Sequence, residues 1–191
     1  MDSKIIRIAI FASGNGSNTE NIIRYFGENS SVSVDLIVSN NKNAYVLQRA
    51  AKLGIETRVI ERADFMYPNE FILFLKERKI DWIILAGFLW LIPADLINTF
   101  PKKIVNIHPA LLPKYGGKGM YGDFVHRAVS ESGDTETGIS IHFVNQSYDE
   151  GEILFQKIVK IEAYENPEII AEKIHQLEYS YYPQVIEKII S

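Results

Sequence analysis

Asn106 and His108 stand two residues apart at the end of the apolar run Ile104-Val105-Asn106-Ile107-His108, immediately before Pro109. On an extended segment, positions two apart project from the same face, so a carboxamide and an imidazole are presented side by side. Pro109 has no N–H for a ladder and stops the strand. The chain then leaves through Ala110-Leu111-Leu112-Pro113-Lys114-Tyr115 into the glycine-rich run Gly116-Gly117-Lys118-Gly119. Both side chains can donate hydrogen bonds to a carbonyl oxygen on which negative charge develops, the need of an enzyme that passes through an oxyanion. A polar pair that ties down a turn would use the same residue types.

Further chemistry-bearing groups lie elsewhere. The turn Gly14-Asn15-Gly16-Ser17-Asn18-Thr19 follows an apolar run and has Thr19 where the third glycine of a dinucleotide fingerprint belongs. The second apolar run ends in Ser39-Asn40-Asn41, without the carboxylate that a nicotinamide ribose requires. The spacing disfavours a dinucleotide. It leaves either a site for one phosphate, made by free N–H groups and a helix dipole, or a plain N-cap turn.

Among four histidines, His126 is expected to be a partly exposed surface residue in mid-helix. His142 alternates with Ser140 and Val144 and either reaches the same cleft as His108 or is a structural imidazole. His175 lies three before Glu178 on a helical pattern, which puts both on one face. No spacing among these groups suits a metal. Asp149, in Tyr148-Asp149-Glu150-Gly151, is a turn former by local pattern and a partner for His108 if that turn folds over the strand end.

The chain of 191 residues is 47% hydrophobic, enough for one domain spanning 1–191 with one buried core. It has no cysteine, which removes disulfides, thiolate metal sites and cysteine nucleophiles and fits a cytoplasmic location. The start Met1-Asp2-Ser3-Lys4 does not read as a signal peptide, and the longest apolar run, Ile83 to Ile92, is too short to span a bilayer. A formal net charge of -4 lacks the basic footprint of a nucleic-acid binder.

Strand patterns at Ile5–Phe11, Val32–Val38, Glu56–Ile60 and Asp81–Ala86 alternate with helical patterns at Glu20–Phe26, Ala44–Leu53 and Pro68–Lys79. A short helix over Pro93–Thr99 precedes the central strand, and another over Tyr121–Ser132 follows the glycine-rich loop. Thr137–Val144 and Glu152–Ile161 are separated by too little chain for a crossover, so they predict an antiparallel hairpin at the sheet edge. Pro167–Ile190 predicts a long final helix, kinked or broken at Pro183. The fold class is therefore α/β, a Rossmann-like three-layer sandwich with a mostly parallel sheet.

Taken together, these residues resemble the folate-dependent formyltransferases, in particular the phosphoribosylglycinamide formyltransferases, over essentially the whole chain. The resemblance rests on Gly14-Asn15-Gly16-Ser17-Asn18, Leu85-Ala86-Gly87-Phe88, Asn106-Ile107-His108-Pro109 through Tyr115, Gly138 with His142-Phe143-Val144, and Tyr148-Asp149-Glu150-Gly151. It implies transfer of a formyl group from 10-formyltetrahydrofolate to the amine of 5-phosphoribosylglycinamide, without a metal, in a monomer or homodimer. Asn106, His108 and Asp149 fall on the family's catalytic positions. There Asn106 and a protonated His108 would stabilise the oxyanion, and Asp149 would hold His108 charged and position a proton-relaying water.

The resemblance also assigns Gly16, Ser17 and Asn18 to the substrate phosphate and Glu178 to the ribose. The folate pocket corresponds to Leu89, Trp90, Leu91 and Ile92 with Asn106, and to the loop Val144 to Asp149. Trp90 stands where better-known members commonly have a basic residue, His175 where they have an amide, and Gly116–Tyr121 reads as a variant lid. Formyltransferases acting on methionyl-tRNA or on amino sugar nucleotides share the Asn-His-Asp set. The tRNA enzymes carry a further basic domain, for which this sequence shows no counterpart. A phosphate-ligand module without activity is the reading outside enzymes, and it leaves the full set unexplained.

Overall fold

Strands form where β-branched and aliphatic residues run together: Ile6–Phe11 (β1), Val32–Ser39 (β2), Glu56–Val59 (β3), Trp82–Leu85 (β4), Ile104–His108 (β5), Glu136–Phe143 (β6) and Ile153–Lys160 (β7). In a computed structural model describing residues 5–27 and 31–190, they make one sheet of order β3-β2-β1-β4-β5-β6-β7. The Met1–Lys4 stretch discussed above lies outside the described residues. β1 pairs in parallel with β2 and β4, and β2–β3 and β4–β5 are also parallel. The β6–β7 hairpin is antiparallel at the edge as expected, and β6 also runs antiparallel to β5.

The helices are Ser17–Phe26 (α1), Tyr45–Lys52 (α2), Arg62–Met66 (α3), Asn69–Glu77 (α4), Ala94–Thr99 (α5), Asp123–Ser132 (α6) and Pro167–Ile190 (α7). Alternation along the strands divides the core. Ile8, Ile10, Ile84, Val105 and Ile107 face α1, α2, α6 and α7. Ala9, Phe11, Ile83, Leu85 and Ile104 face α4 and α5, with Phe65 of α3 packed on the same layer. Each such aliphatic side chain contributes about 1.5–3 kcal/mol by leaving water. Three layers result, with the sheet between two helix layers.

The sequence reading did not include α3, and of the kink or break it placed at Pro183 the break is absent. α3 arises from the acidic pair Glu61 and Asp64, where the Glu61 N–H donates to Asp64 Oδ2 at 2.6 Å. α7 is unbroken through Pro183, which is buried. A proline leaves the carbonyl four residues earlier without its helical donor. Here that carbonyl belongs to Tyr179, and Asn21 Nδ2 from α1 donates to it at 2.9 Å. The local reason for a break is thus removed by a partner 158 positions away in sequence.

Candidate active site

In open α/β sheets, ligands bind beyond the carboxyl ends of the strands, where the connections diverge. β1 leads outward to β2, while β4 leads to β5 on its other side. A cleft of about 630 Å³ opens there, walled by the turn after β1, the Leu85–Ile92 segment after β4, the exit of β5, α6, α7 and the β6–β7 loop. Two contacts fix its frame. Ser13 Oγ accepts from the Leu89 N–H at 2.9 Å, joining the first two walls. The buried Tyr182 hydroxyl of α7 donates to the carbonyls of Leu85 and Val105, at 2.8 and 3.3 Å, and joins the helix to β4 and β5.

Asn106, His108 and Asp149 meet on the cleft floor. Asn106 Nδ2 lies 3.4 Å from Asp149 Oδ1, and His108 Nδ1 lies 3.4 Å from Asp149 Oδ2. The aspartate reaches this point from the hairpin loop at φ 58°, a left-handed conformation that aspartate tolerates better than most residues. The Gly117 N–H donates to its Oδ2 at 3.1 Å. Burial alone would raise the Asp149 pKa, but the His142 ring, the His108 ring and the Gly117 N–H together hold it below the usual carboxylate value. It is an anion at neutral pH.

His108 is almost fully buried. A carbonyl can only accept, so the 2.8 Å contact of its Nε2 with the Tyr115 carbonyl places a hydrogen on Nε2 and turns Nδ1 toward Asp149. Burial pulls its pKa below the usual imidazole value, against the opposing pull of Asp149 and the Tyr115 carbonyl. In the free site, then, the neutral ring is favoured at pH 7. Tyr115 is held by the exit of β5: Ser140 Oγ accepts from the Leu112 N–H at 2.9 Å and donates to the Ala110 carbonyl at 2.7 Å. Leu112–Pro113 is cis.

His142, left open between cleft and scaffold, belongs to the cleft floor. It is paired with Asn106 across β5 and β6, and its Nε2 is 3.1 Å from Asn106 Nδ2. His126 is a correction. Expected at the surface, it is buried and lines the cleft, because it shares the inward stripe of α6 with Val125 and Val129. Burial first, and then the nearby His175, push its pKa down to about 4, so it is neutral.

At the other end, Gly16, Ser17 and Asn18 open α1. Gly16 is left-handed at φ 77°, and a side chain there would meet Val46 Cγ2 at 2.4 Å. No side chain caps this helix, so its first N–H groups and the positive end of its dipole face the cleft. Arg49 braces the turn, its Nε donating to the Asn15 carbonyl at 2.9 Å and its guanidinium paired with Glu20. Glu178 is buried, with Asn18 Nδ2 donating to its Oε2 at 2.9 Å. Burial raises its pKa to about 7, only partly offset by that bond. His175 lines the same wall while remaining exposed, so the shared face with Glu178 is observed.

Leu89, Trp90, Leu91 and Ile92 line the cleft wall after β4, beside Val144 and Tyr148 of the hairpin loop. Ile92 is buried, whereas Leu89 and Leu91 stay exposed. Arg62 of α3 lies over the Trp90 ring at 4.1 Å, so a cation stands beside Trp90 although the residue itself is not basic. The glycine-rich segment contributes Gly117, Lys118, Gly119, Met120 and Tyr121 to the rim.

Residues 6–186 match the family described as formyl transferase. The chain belongs to the formyl transferase family. It is 44% identical over 163 residues to the phosphoribosylglycinamide formyltransferase, chloroplastic, of Arabidopsis thaliana, a match covering 82% of this chain and 56% of that protein. A protein of the same name from Vigna unguiculata is 39% identical over 82% of this chain and 52% of its own length. The chain thus spans about half the length of these plant relatives. Among solved structures, glycinamide ribonucleotide transformylase 1 from Geobacillus kaustophilus has a TM-score of 0.88 at 34% identity, covering 98% of this chain and all of that one. The phosphoribosylglycinamide formyltransferase of Streptococcus pneumoniae gives 0.85 at 31% identity, over 97% and 99%. The likeness to these solved structures therefore extends over nearly the whole chain.

Proposed function

We propose that this chain transfers the formyl group of 10-formyltetrahydrofolate to the amine of 5-phosphoribosylglycinamide, a step of de novo purine synthesis. The observation that carries this reading is the convergence of Asn106 and His108 on Asp149, midway between an uncapped helix N-terminus and an apolar wall. The phosphate would sit on the N–H groups of Gly16, Ser17 and Asn18, with the ribose beside Glu178. The pterin would lie along Leu89, Trp90, Leu91 and Ile92, with Asn106 at its reactive end. The names of the relatives support the acceptor and the formyl group transferred.

The acceptor amine attacks the formyl carbon, forming a C–N bond while the carbonyl electrons move to oxygen. Asn106 Nδ2 and a proton on His108 Nδ1 stabilise that oxygen, each donor being worth about 10²–10³ in rate. His108 is neutral at rest because it is buried; as negative charge develops and offsets that burial, Nδ1 takes up a proton from bulk water and returns it when the carbonyl re-forms. The Nε2–H stays with the Tyr115 carbonyl, and the Nδ1–H is shared between the forming oxyanion and Asp149 Oδ2. The amine proton passes, through a water held by Asp149, to the folate nitrogen as its bond to the formyl carbon breaks. These side chains supply the acid, base and electrostatic parts of that sequence.

Purified protein should formylate phosphoribosylglycinamide with 10-formyltetrahydrofolate, followed by release of the deformylated folate. The informative panel offers amino sugar nucleotides in parallel. Turnover of an amino sugar nucleotide with none of phosphoribosylglycinamide would reassign the acceptor. Among the described residues, no helix is long and apolar enough to cross a membrane. A cytoplasmic site of action is part of the proposal, and fractionation of the native protein tests it.

A further inference from the structure

Asn106 can present either its amide hydrogens or its carbonyl oxygen to the cleft, and only the hydrogens can hold an oxyanion. We infer that His142 is a positioning residue that fixes this choice, by being held in the one neutral tautomer whose Nε2 accepts from Asn106. The inference rests on the transferase reading above for its catalytic consequence, and on geometry alone for the tautomer.

Gly151 follows the hairpin loop, and a Cβ built on it would lie 1.6 Å from the Phe143 carbonyl oxygen. Only the missing side chain leaves room for that carbonyl, which stands 2.8 Å from His142 Nδ1. Because a carbonyl can only accept, Nδ1 carries the ring hydrogen. In the neutral ring, Nε2 is then a lone-pair acceptor, and Asn106 Nδ2 at 3.1 Å is nearer to it than Asp149 Oδ1, which at 3.6 Å lies beyond hydrogen-bond reach. Were the amide reversed, its oxygen would meet that lone pair with no hydrogen between them. A buried acceptor pair of this kind is unfavourable, because neither lone pair finds a hydrogen. One hydrogen of Nδ2 is thus committed to His142. The other points toward Asp149 Oδ1, 3.4 Å away, at the place where a substrate oxygen would arrive.

The two buried imidazoles of the floor are therefore set in opposite tautomers by main-chain carbonyls. His142 carries its hydrogen on Nδ1 because of Phe143, and His108 carries its hydrogen on Nε2 because of Tyr115. Each carbonyl leaves the other ring nitrogen free for the catalytic cluster. This arrangement gives His142 a part in the reaction that needs no contact with substrate.

Two measurements test it on the full chain. Long-range proton–nitrogen NMR of the imidazole rings at neutral pH should show His142 as the Nδ1–H tautomer and His108 as the Nε2–H tautomer. A protonated or Nε2–H His142 overturns the inference. The second measurement is a cycle of His142→Ala, Asn106→Ala and the double variant, read as kcat and as KM for the phosphoribosyl substrate. His142→Ala should lower kcat about tenfold or more with KM within about threefold, and should cost less than about twofold further when Asn106 is already alanine. An equal loss in both backgrounds would show that His142 does not act through Asn106. Should phosphoribosylglycinamide prove not to be the acceptor, the tautomer result would stand and the cycle would be read with the correct amine.

Discussion

Two carboxylates line the same cleft and are driven in opposite directions. Asp149 and Glu178 both lose water on folding, yet the first lies below its ordinary pKa while the second rises to about 7. The difference is in the company each keeps. Two imidazoles flank Asp149, and the Asn106 amide and a backbone N–H donate to its oxygens, so its charged form is solvated by the protein. Glu178 has a single amide donor from Asn18, whose own Oδ1 is buried without a partner among the described residues. One end of the cleft is organised around a fixed anion. The other is an underfilled polar pocket that a ligand rich in hydroxyls would complete.

That contrast can be broken most forcefully at the anion. Asp149→Asn keeps the shape and removes the charge, and kcat should fall about 10²–10⁴-fold, the span of lost acid–base help. His108→Ala should do the same, and steady-state kinetics with either variant checks it. Unchanged turnover would remove that residue from the mechanism. The next effect is thermodynamic and lies at Glu178. Its folded pKa is raised, so the stability it lends is present below its ordinary value of 4.5 and is lost as pH rises through about 7. At about 1.4 kcal/mol per pH unit, that interval amounts to about 3 kcal/mol. Glu178→Gln should lack this dependence, gaining on the parent between pH 5 and pH 8 in denaturant titrations. Parallel curves would mean that Glu178 is charged throughout.

Asp149 has the reverse sign. Its folded pKa is lowered, so its contribution is present above the ordinary carboxylate value and fades as pH falls through the folded one. A smaller effect sharpens the comparison from the phosphate side. Ser17→Asp sets a negative charge at the start of α1 and should weaken the phosphoribosyl ligand about tenfold, with folate affinity nearly unchanged. Calorimetry with each ligand separates the two, and equal losses would relocate the phosphate. The smallest effect concerns the helix that carries Glu178. Asn21→Ala strands the Tyr179 carbonyl and should cost about 1 kcal/mol, or about 2–4 °C in Tm.

Apart from α3, the order of elements was legible because local periodicity announced it, and the Asn106–His108 pair because two residues apart on a strand means one face. What decides the site is not local. Asp149 reaches His108 only because β6 pairs antiparallel with β5 and the hairpin loop then hangs over the strand end. His142 could be placed by alternation, but its partner Asn106 is fixed by register between strands. His126 was misread because a single imidazole among Phe124, Val125 and Arg127 carries no sign of which way the helix turns, although its spacing from Val129 was there to be used. The continuity of α7 was hidden because its remedy, Asn21, sits in α1.

The Tyr182 hydroxyl has a consequence for how such a protein can change. By fastening α7 to the ends of β4 and β5 at once, it keeps the foundations of both ligand compartments in register from beneath. The glycine-rich rim and the stretch around Trp90 lie outside that fastening, so a change in either leaves the ends of β4 and β5 held to the helix.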